Sequence, residues 1–355
     1  MKTLHLTVDP AHLETPSAID ALDRAARILR DGGLVALPTE TVYGLGANAL
    51  DQTAVERIFA AKQRPAWDPI IVHIAGTAML GRLVTEVPAA AHRLMQAFWP
   101  GPLTLLLPRS AAVPQAVTAG RRLVGIRMPA HAVALELIRR AAIPIAAPSA
   151  NRFAHISPTT AAHVLHDLDG RIDAVLDAGP APRGVESTVL DPSATPMTIY
   201  RLGAVTAQQI REVAGPVEVF TGRDGASDAI EEPGAGGAAL PSPGAGVRHY
   251  APKAKLVLVG APERQLAARL AGAARNRQDD VLGVMLPEGV AAPPGVDACR
   301  VFAWGRWDAP EQLAQRLYAG LRALDAAGCT VILCPLPRAA GLGAALRDRL
   351  QKAAR

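Results

Sequence analysis

Residues 34–46 read Leu34-Val35-Ala36-Leu37-Pro38-Thr39-Glu40-Thr41-Val42-Tyr43-Gly44-Leu45-Gly46. A short apolar run closed by proline is a buried strand. The hydroxyls and the carboxylate that follow form a loop at its end. In that loop Gly44 and Gly46 let the backbone approach a ligand closely. The same grammar recurs outward from this point. Residues 4–8 alternate as a strand, and Ile19, Leu22, Ala26 and Leu29 mark one face of a helix stopped by Asp31-Gly32-Gly33. Residues 51–62 form a helix with Asp51 as N-cap. Residues 70–74, 103–107, 123–128, 143–147, 174–176, 188–190 and 197–201 are further strands, and Ser157-Pro158 opens another helix with the serine as cap. Many strands with few long helices between them predict an α+β domain on a mixed sheet, twisted as sheets are.

The chain has 355 residues, half of them apolar, which is material for two folded domains. No apolar run reaches the ~20 residues that a bilayer requires, so no membrane partner is expected. Cys299, Cys329 and Cys334 are odd in number and form no CxxC pair, which argues against a disulfide scaffold or a zinc cluster and for buried thiols in a reducing cytoplasm. A net charge of +5 suits an anionic small ligand or weak contact with nucleic acid. Aromatics, at 4%, are too few for a base-stacking platform.

Between Gly222 and Val247, 16 of 26 residues are Gly, Ala or Pro and periodicity vanishes, which marks a flexible linker. The expected division is a body at 1–221, a linker and active-site loop at 222–254, and a tail domain at 255–355. In the tail, β-like runs at 255–259, 281–285, 299–302 and 331–334 alternate with helical stretches at 263–275, 310–326 and 339–352. Leu313, Leu317, Leu321 and Leu324 stripe the second of these helices. That order predicts a small parallel α/β sheet of Rossmann-like topology, without the glycine fingerprint of dinucleotide binding after its first strand.

Four polar clusters follow apolar strands. The first holds Thr39, Glu40 and Thr41. The second holds Lys62, Arg64, Asp68 and His73. The third is Gly125-Ile126-Arg127-Met128-Pro129, where an arginine inside a strand must meet a carboxylate such as Glu40 or Glu186, or an anionic ligand. The fourth is Ala147-Pro148-Ser149-Ala150-Asn151, then Ser157. Glu186-Ser187-Thr188 and Tyr200-Arg201-Leu202-Gly203 come later. No GxSxG elbow, HExxH or Walker A loop occurs. Lys62, Arg64, Arg127 and Arg201 among hydroxyls, with no nucleophile–base pair, describe a site that holds polyanionic reactants and lets them react with each other.

PTETVYGLG, KxRP before PIIVHI, WPGPLTLLL, GIRMP, PSAN, SPT, GVESTVLD and the RLG after Tyr200 occur in the order of the threonylcarbamoyl-AMP synthase (YrdC-like) family, which the chain resembles along nearly its whole length. SPGAGVRHYAP and the tail resemble the family's two-domain form. The resemblance implies that L-threonine, bicarbonate or CO₂, and ATP with Mg²⁺ are joined into L-threonylcarbamoyladenylate, releasing pyrophosphate. A threonylcarbamoyl transferase complex would pass the group on to tRNA. By motif, Thr41, His73, Arg127, Ala147 and Ser187 would line the threonine side. Arg64, Asp68, Leu123, Ser149, Ser157, Arg201 and Tyr250 would line the ATP side. Lys62 and Arg64 would be catalytic, with Lys62 near the phosphates. Asp68 stands where the family commonly has an amide, and Val247 where its linker usually has an aromatic. The alternative readings are a non-catalytic module for double-stranded RNA and a carbamoyl transferase of hydrogenase maturation; the latter expects CxxC pairs that are missing here.

Overall fold

The computed structural model describes residues 2–220, 249–277 and 279–355. The expected linker at 222–247, Val247 included, lies outside the described residues. Two compact units divide the rest. The first holds residues up to 153, 158–182, and 186 to the last strand of the body; the second holds 154–157, 183–185 and everything from 249 onward.

The first unit runs β1 (Leu4–Thr7), α1 (Pro16–Arg30), β2 (Val35–Leu37), β3 (Gly44–Asn48), α2 (Gln52–Lys62), β4 (Ile71–His73), α3 (Ala89–Phe98), β5 (Leu103–Pro108), the single turn α4 (Gln115–Thr118) and β6 (Leu123–Arg127). It continues with α5 (Ala132–Ala141), β7 (Ile145–Ala146), α6 (Ala161–Leu168), β8 (Ala174–Asp177), β9 (Thr188–Asp191), β10 (Met197–Arg201), α7 (Ala207–Ala214) and β11 (Val217–Val219). The strands form one mixed sheet in the order β1-β8-β2-β3-β7-β4-β6-β5-β9-β10-β11.

Local chemistry explains the boundaries. Thr15 caps α1 and Pro16 opens it; the Asp51 carboxylate accepts from the N–H groups of Thr53 and Ala54 at the start of α2. Gln63 ends α2 in the left-handed region, φ 54°, and frees the chain ahead of Pro65. Three expectations need correction. The cap of α6 is Thr160, whose hydroxyl accepts from His163 N; Ser157 and Pro158 precede the helix as extended chain. Gly44 and Gly46 lie in β3, a strand the loop reading missed. A Cβ on Gly46 would come within 2.8 Å of Ile145 and 2.9 Å of Leu37, so this glycine makes room for the core, not for a ligand. The helices α3, α5 and α7 were not foreseen, although the Thr206–Gln209 capping box of α7 is a signal in the sequence.

Strand alternation divides the unit's apolar residues between two faces. Val72, Leu103, Leu105, Val124, Ile126, Leu190 and Ile199 point into the larger core, packed by α2, α3, α6 and α7. On the other face, α1 and α5 cover the first half of the sheet through Val35, Leu37, Ile145 and Leu176. Beyond β7 that face carries, among the described residues, a small apolar patch of Ile71, Leu106 and Val189, with Leu123 and Tyr200 against it.

The second unit contains β12 (Lys255–Val259), α8 (Leu266–Arg275), β13 (Leu282–Pro287), β14 (Val301–Gly305), α9 (Pro310–Ala326), β15 (Val331–Pro335) and α10 (Leu342–Ala353). Its four strands are all parallel, in the order β12-β15-β13-β14. The leucine stripe of α9 is buried as expected. Cys329 and Cys334 are buried, but Cys299 is exposed at the head of β14, contrary to expectation. Among the described residues no helix is long and apolar enough to cross a membrane.

Candidate active site

The half of the sheet beyond β7 gathers the sequence motifs. In β4 and β6 the register pairs Ile71 with Gly125 and His73 with Arg127, so His73 and Arg127 stand side by side on one face. Thr104 of β5, Val189 of β9 and Arg201 of β10 follow on that face. Leu106, Leu123 and Gly125 line a cleft of about 1320 Å³, with Tyr200, Arg121 and Thr118 also on its walls.

Arg127 is 3% exposed and fully engaged along one edge. Its Nη2 lies 2.7 Å from the Glu40 carboxylate, Nη1 donates to Thr41 Oγ1 at 3.0 Å, and Nε donates to the Gly101 carbonyl at 3.2 Å. Burial alone would raise the Glu40 carboxyl, but the charge and hydrogen bonding of Arg127 outweigh it and hold the carboxyl below its usual range. Thr39 donates to the Val42 carbonyl, so Thr41 donates to Thr39 Oγ1 (2.8 Å) and offers its oxygen to Arg127. Of the two roles open to Arg127 on sequence, pairing with Glu40 is realised.

Burial, and after it the Arg127 charge, pushes the His73 imidazole down to about 3. It is therefore neutral at neutral pH. Between 6.5 and about 3 the unfolded chain takes up a proton that the folded imidazole refuses, so stability is fully present above pH 6.5 and falls as pH drops through that window. Glu40 acts in the same direction, its contribution being lost as pH falls through its lowered value. His73→Asn is expected to flatten the loss of stability between about pH 7 and about pH 5, read as the urea midpoint. Equal slopes in variant and parent would remove His73 from the account.

Lys62, expected near the phosphates, is a buried side chain. It is 1% exposed at the end of α2, and Nζ donates to the carbonyls of Ser149 and Asn151. Burial, then the neighbouring Arg64 charge, lowers its pKa well below the ordinary lysine value. Two of the hydrogens on Nζ serve these carbonyls. Lys62 thus holds the PSAN loop, whose Ser149 is half-buried and bridges to Gly44. Arg64 lies 2.9 Å from the Asp68 carboxylate and donates to the Asp68 and Pro69 carbonyls. Asp68 is wholly buried. The acidic residue in place of the family's amide is thereby charge-compensated locally.

Arg201 donates through Nε to the Ser187 carbonyl at 3.1 Å and through Nη2 to Ser187 Oγ at 3.0 Å, while that hydroxyl lies 2.8 Å from Thr104 Oγ1. The expected threonine-side serine and ATP-side arginine are therefore in direct contact. Gly203 secures this junction. A Cβ there would fall 2.3 Å from Thr188 N and 2.5 Å from the Glu186 carbonyl, both backbone atoms that cannot yield. Gly203→Ala is expected to cost roughly 3 kcal/mol or more, measured by denaturant unfolding, and a loss below 1 kcal/mol would contradict the packing.

Ala147 is buried, its N–H on the Ile71 carbonyl. Ser157 and Tyr250 belong to the second unit. Tyr250, φ 64°, stacks on Tyr318 at 5.7 Å with Arg349 over its ring at 5.2 Å, and is 3% exposed. This packing makes the ring an anchor for its own segment. Sequence reasoning also missed Thr104 and Gly101, which carry no signal until the strands are paired. Among the described residues no three His, Cys, Asp or Glu side chains converge to hold a metal.

A family model described as "Telomere recombination" matches residues 27–203, and one described as "Threonylcarbamoyl-AMP synthase, C-terminal domain" matches residues 205–355. A threonylcarbamoyl-AMP synthase of Bacillus subtilis is 42% identical, over 100% of this chain and 98% of the relative. The chain belongs to the threonylcarbamoyl-AMP synthase family. The family's synthase from Pyrococcus abyssi is also 42% identical, over 93% of this chain and 92% of its own. The crystal structure of P. abyssi Sua5 complexed with L-threonine superposes with a TM-score of 0.87 at 39% identity, covering 100% of this chain and 98% of that one. A histidine-and-tyrosine-to-alanine variant of that protein gives a TM-score of 0.88, with coverage of 99% and 96%. Membership makes the chain an enzyme of the nucleotidyltransferase class, and the non-catalytic RNA-binding alternative is not favoured.

Proposed function

We propose that this sheet face is where L-threonine, bicarbonate or CO₂, and ATP become L-threonylcarbamoyladenylate and pyrophosphate. The observation that carries the reading is the state of Arg127. Its guanidinium is paired with Glu40 and donates to Thr41 and Gly101, and its remaining N–H groups suit a carboxylate. Threonine supplies that carboxylate. Thr41, neutral His73, Ala147 and Ser187 border its side chain and amine; the relative crystallised with L-threonine supports the choice.

The amine captures CO₂ as a carbamate and gives up a proton, or condenses with bicarbonate and gives up water. A carbamate oxygen then attacks the α-phosphorus, and the bond to pyrophosphate breaks. Arg201, in contact with Ser187, stands where the two substrates would meet. Arg64, Asp68, Leu123 and Ser149 frame the nucleotide, and Lys62 acts as a positioning residue through the PSAN loop. A Mg²⁺ carried on the triphosphate would offset its charge; with Glu40 and Asp68 paired to arginines, water and phosphate oxygens would be its ligands. The product, a mixed anhydride, is then passed in the cytoplasm to a transferase complex acting on tRNA.

The test is pyrophosphate release from ATP, which is expected to require threonine and bicarbonate together. Release that ignores threonine would overturn the proposal.

A further inference from the structure

We propose that the C-terminal unit carries its own nucleotide-binding crevice, separate from the synthase chemistry. In parallel α/β sheets, ligands sit beyond the carboxyl ends of adjacent strands whose following helices leave to opposite faces. β12 and β15 are such a pair. The helix after β12, α8, packs on the face of Val259, Leu282, Val284 and Leu333. On the opposite face α9 packs beside Gly283 and Met285, with α10, the helix after β15, against it. At the carboxyl ends of these two strands lies a cavity of about 560 Å³, within the usual size of small-molecule sites.

Its walls have a mixed chemistry suited to a phosphorylated nucleoside. Arg338 is largely exposed, with only a loose 3.8 Å approach to Glu263. Arg347 spends one N–H on the Pro337 carbonyl at 2.8 Å. Both guanidiniums suit a phosphate. Trp307, half-buried, offers a flat apolar wall for a base, and the Glu263 carboxylate is an acceptor for ribose hydroxyls. Gly260 keeps the floor open: a Cβ there would meet nothing closer than Leu336 Cδ1 at 3.9 Å. Gly341, φ 54°, precedes α10, the helix after β15.

The experiment titrates AMP into the full-length protein by calorimetry, with inorganic phosphate in a parallel titration. Gly260→Glu places a carboxylate in open space inside the crevice, and Arg338→Glu reverses a surface charge; neither disturbs the core. Each is expected to weaken one AMP site at least about tenfold, while threonine-dependent pyrophosphate release stays within about twofold of the parent. An AMP isotherm unchanged in both variants would overturn the site. Phosphate binding as tightly as AMP would overturn the assignment to a nucleoside. Parallel loss of pyrophosphate release would overturn the separation from catalysis. Because that release is measured independently of AMP binding, failure of the crevice and failure of the synthase reading are distinguishable.

Discussion

Arg127→Ala is expected to lower kcat/KM for threonine by at least about a hundredfold, most of it in KM, with ATP use changed far less. The magnitude follows from losing a forked, charge-assisted carboxylate contact in a buried setting. A second effect separates this from a generic loss of charge. Removing the guanidinium leaves the Glu40 carboxylate, 4% exposed, with no counter-charge at 2.7 Å. Breaking one side of a buried pair typically costs about 3–5 kcal/mol, so the variant should unfold at lower urea and gain stability as acid protonates Glu40. The double variant with Glu40→Gln should recover much of the stability but none of the threonine affinity. Recovery of both together would mean that Arg127 is a structural residue alone. Equal rises in the apparent constants for threonine and ATP would remove it from the threonine side.

Lys62→Met keeps the length and apolar stem of the side chain but strands the carbonyls of Ser149 and Asn151 inside the protein. Two unsatisfied buried acceptors cost about 2–6 kcal/mol together. The PSAN loop should then drift, and a displacement near 1 Å at a reacting centre costs about a hundredfold in rate. The expected result is therefore a joint fall in unfolding free energy and in kcat. A Lys62→Met protein of parental stability with a raised KM for ATP alone would show that the ammonium contacts phosphate directly and that its hold on the loop is incidental.

Much of the architecture was legible because it rests on short-range rules. Proline-closed apolar runs, Asp51 before α2, the glycines after α1 and the leucine stripe of α9 are each decided by residues within one or two turns of one another. The parallel order of the tail followed from its alternation of strand and helix. What escaped was of two kinds. Ser157-Pro158 has the composition of a helix start, but a real cap needs its hydroxyl over the first free N–H groups, and Thr160 occupies that position. Gly44 and Gly46 have the composition of a ligand loop, but their reason lies in Ile145, Leu37 and Ala147, about a hundred residues away in the case of Ile145 and Ala147.

The site divides in the same way. The chain by itself pointed to the side chains proposed to bear the chemistry, since an arginine in an apolar strand or a serine before a β run announces itself by the cost of burying it. Only the tertiary structure decided what each one touches. Strand pairing sets His73 beside Arg127, joins Ser187 to Arg201, ties Arg64 to Asp68 and turns Lys62 inward onto carbonyls. Those partners are fixed by register and burial, which arise between strands distant in sequence, and no local pattern of residues encodes them.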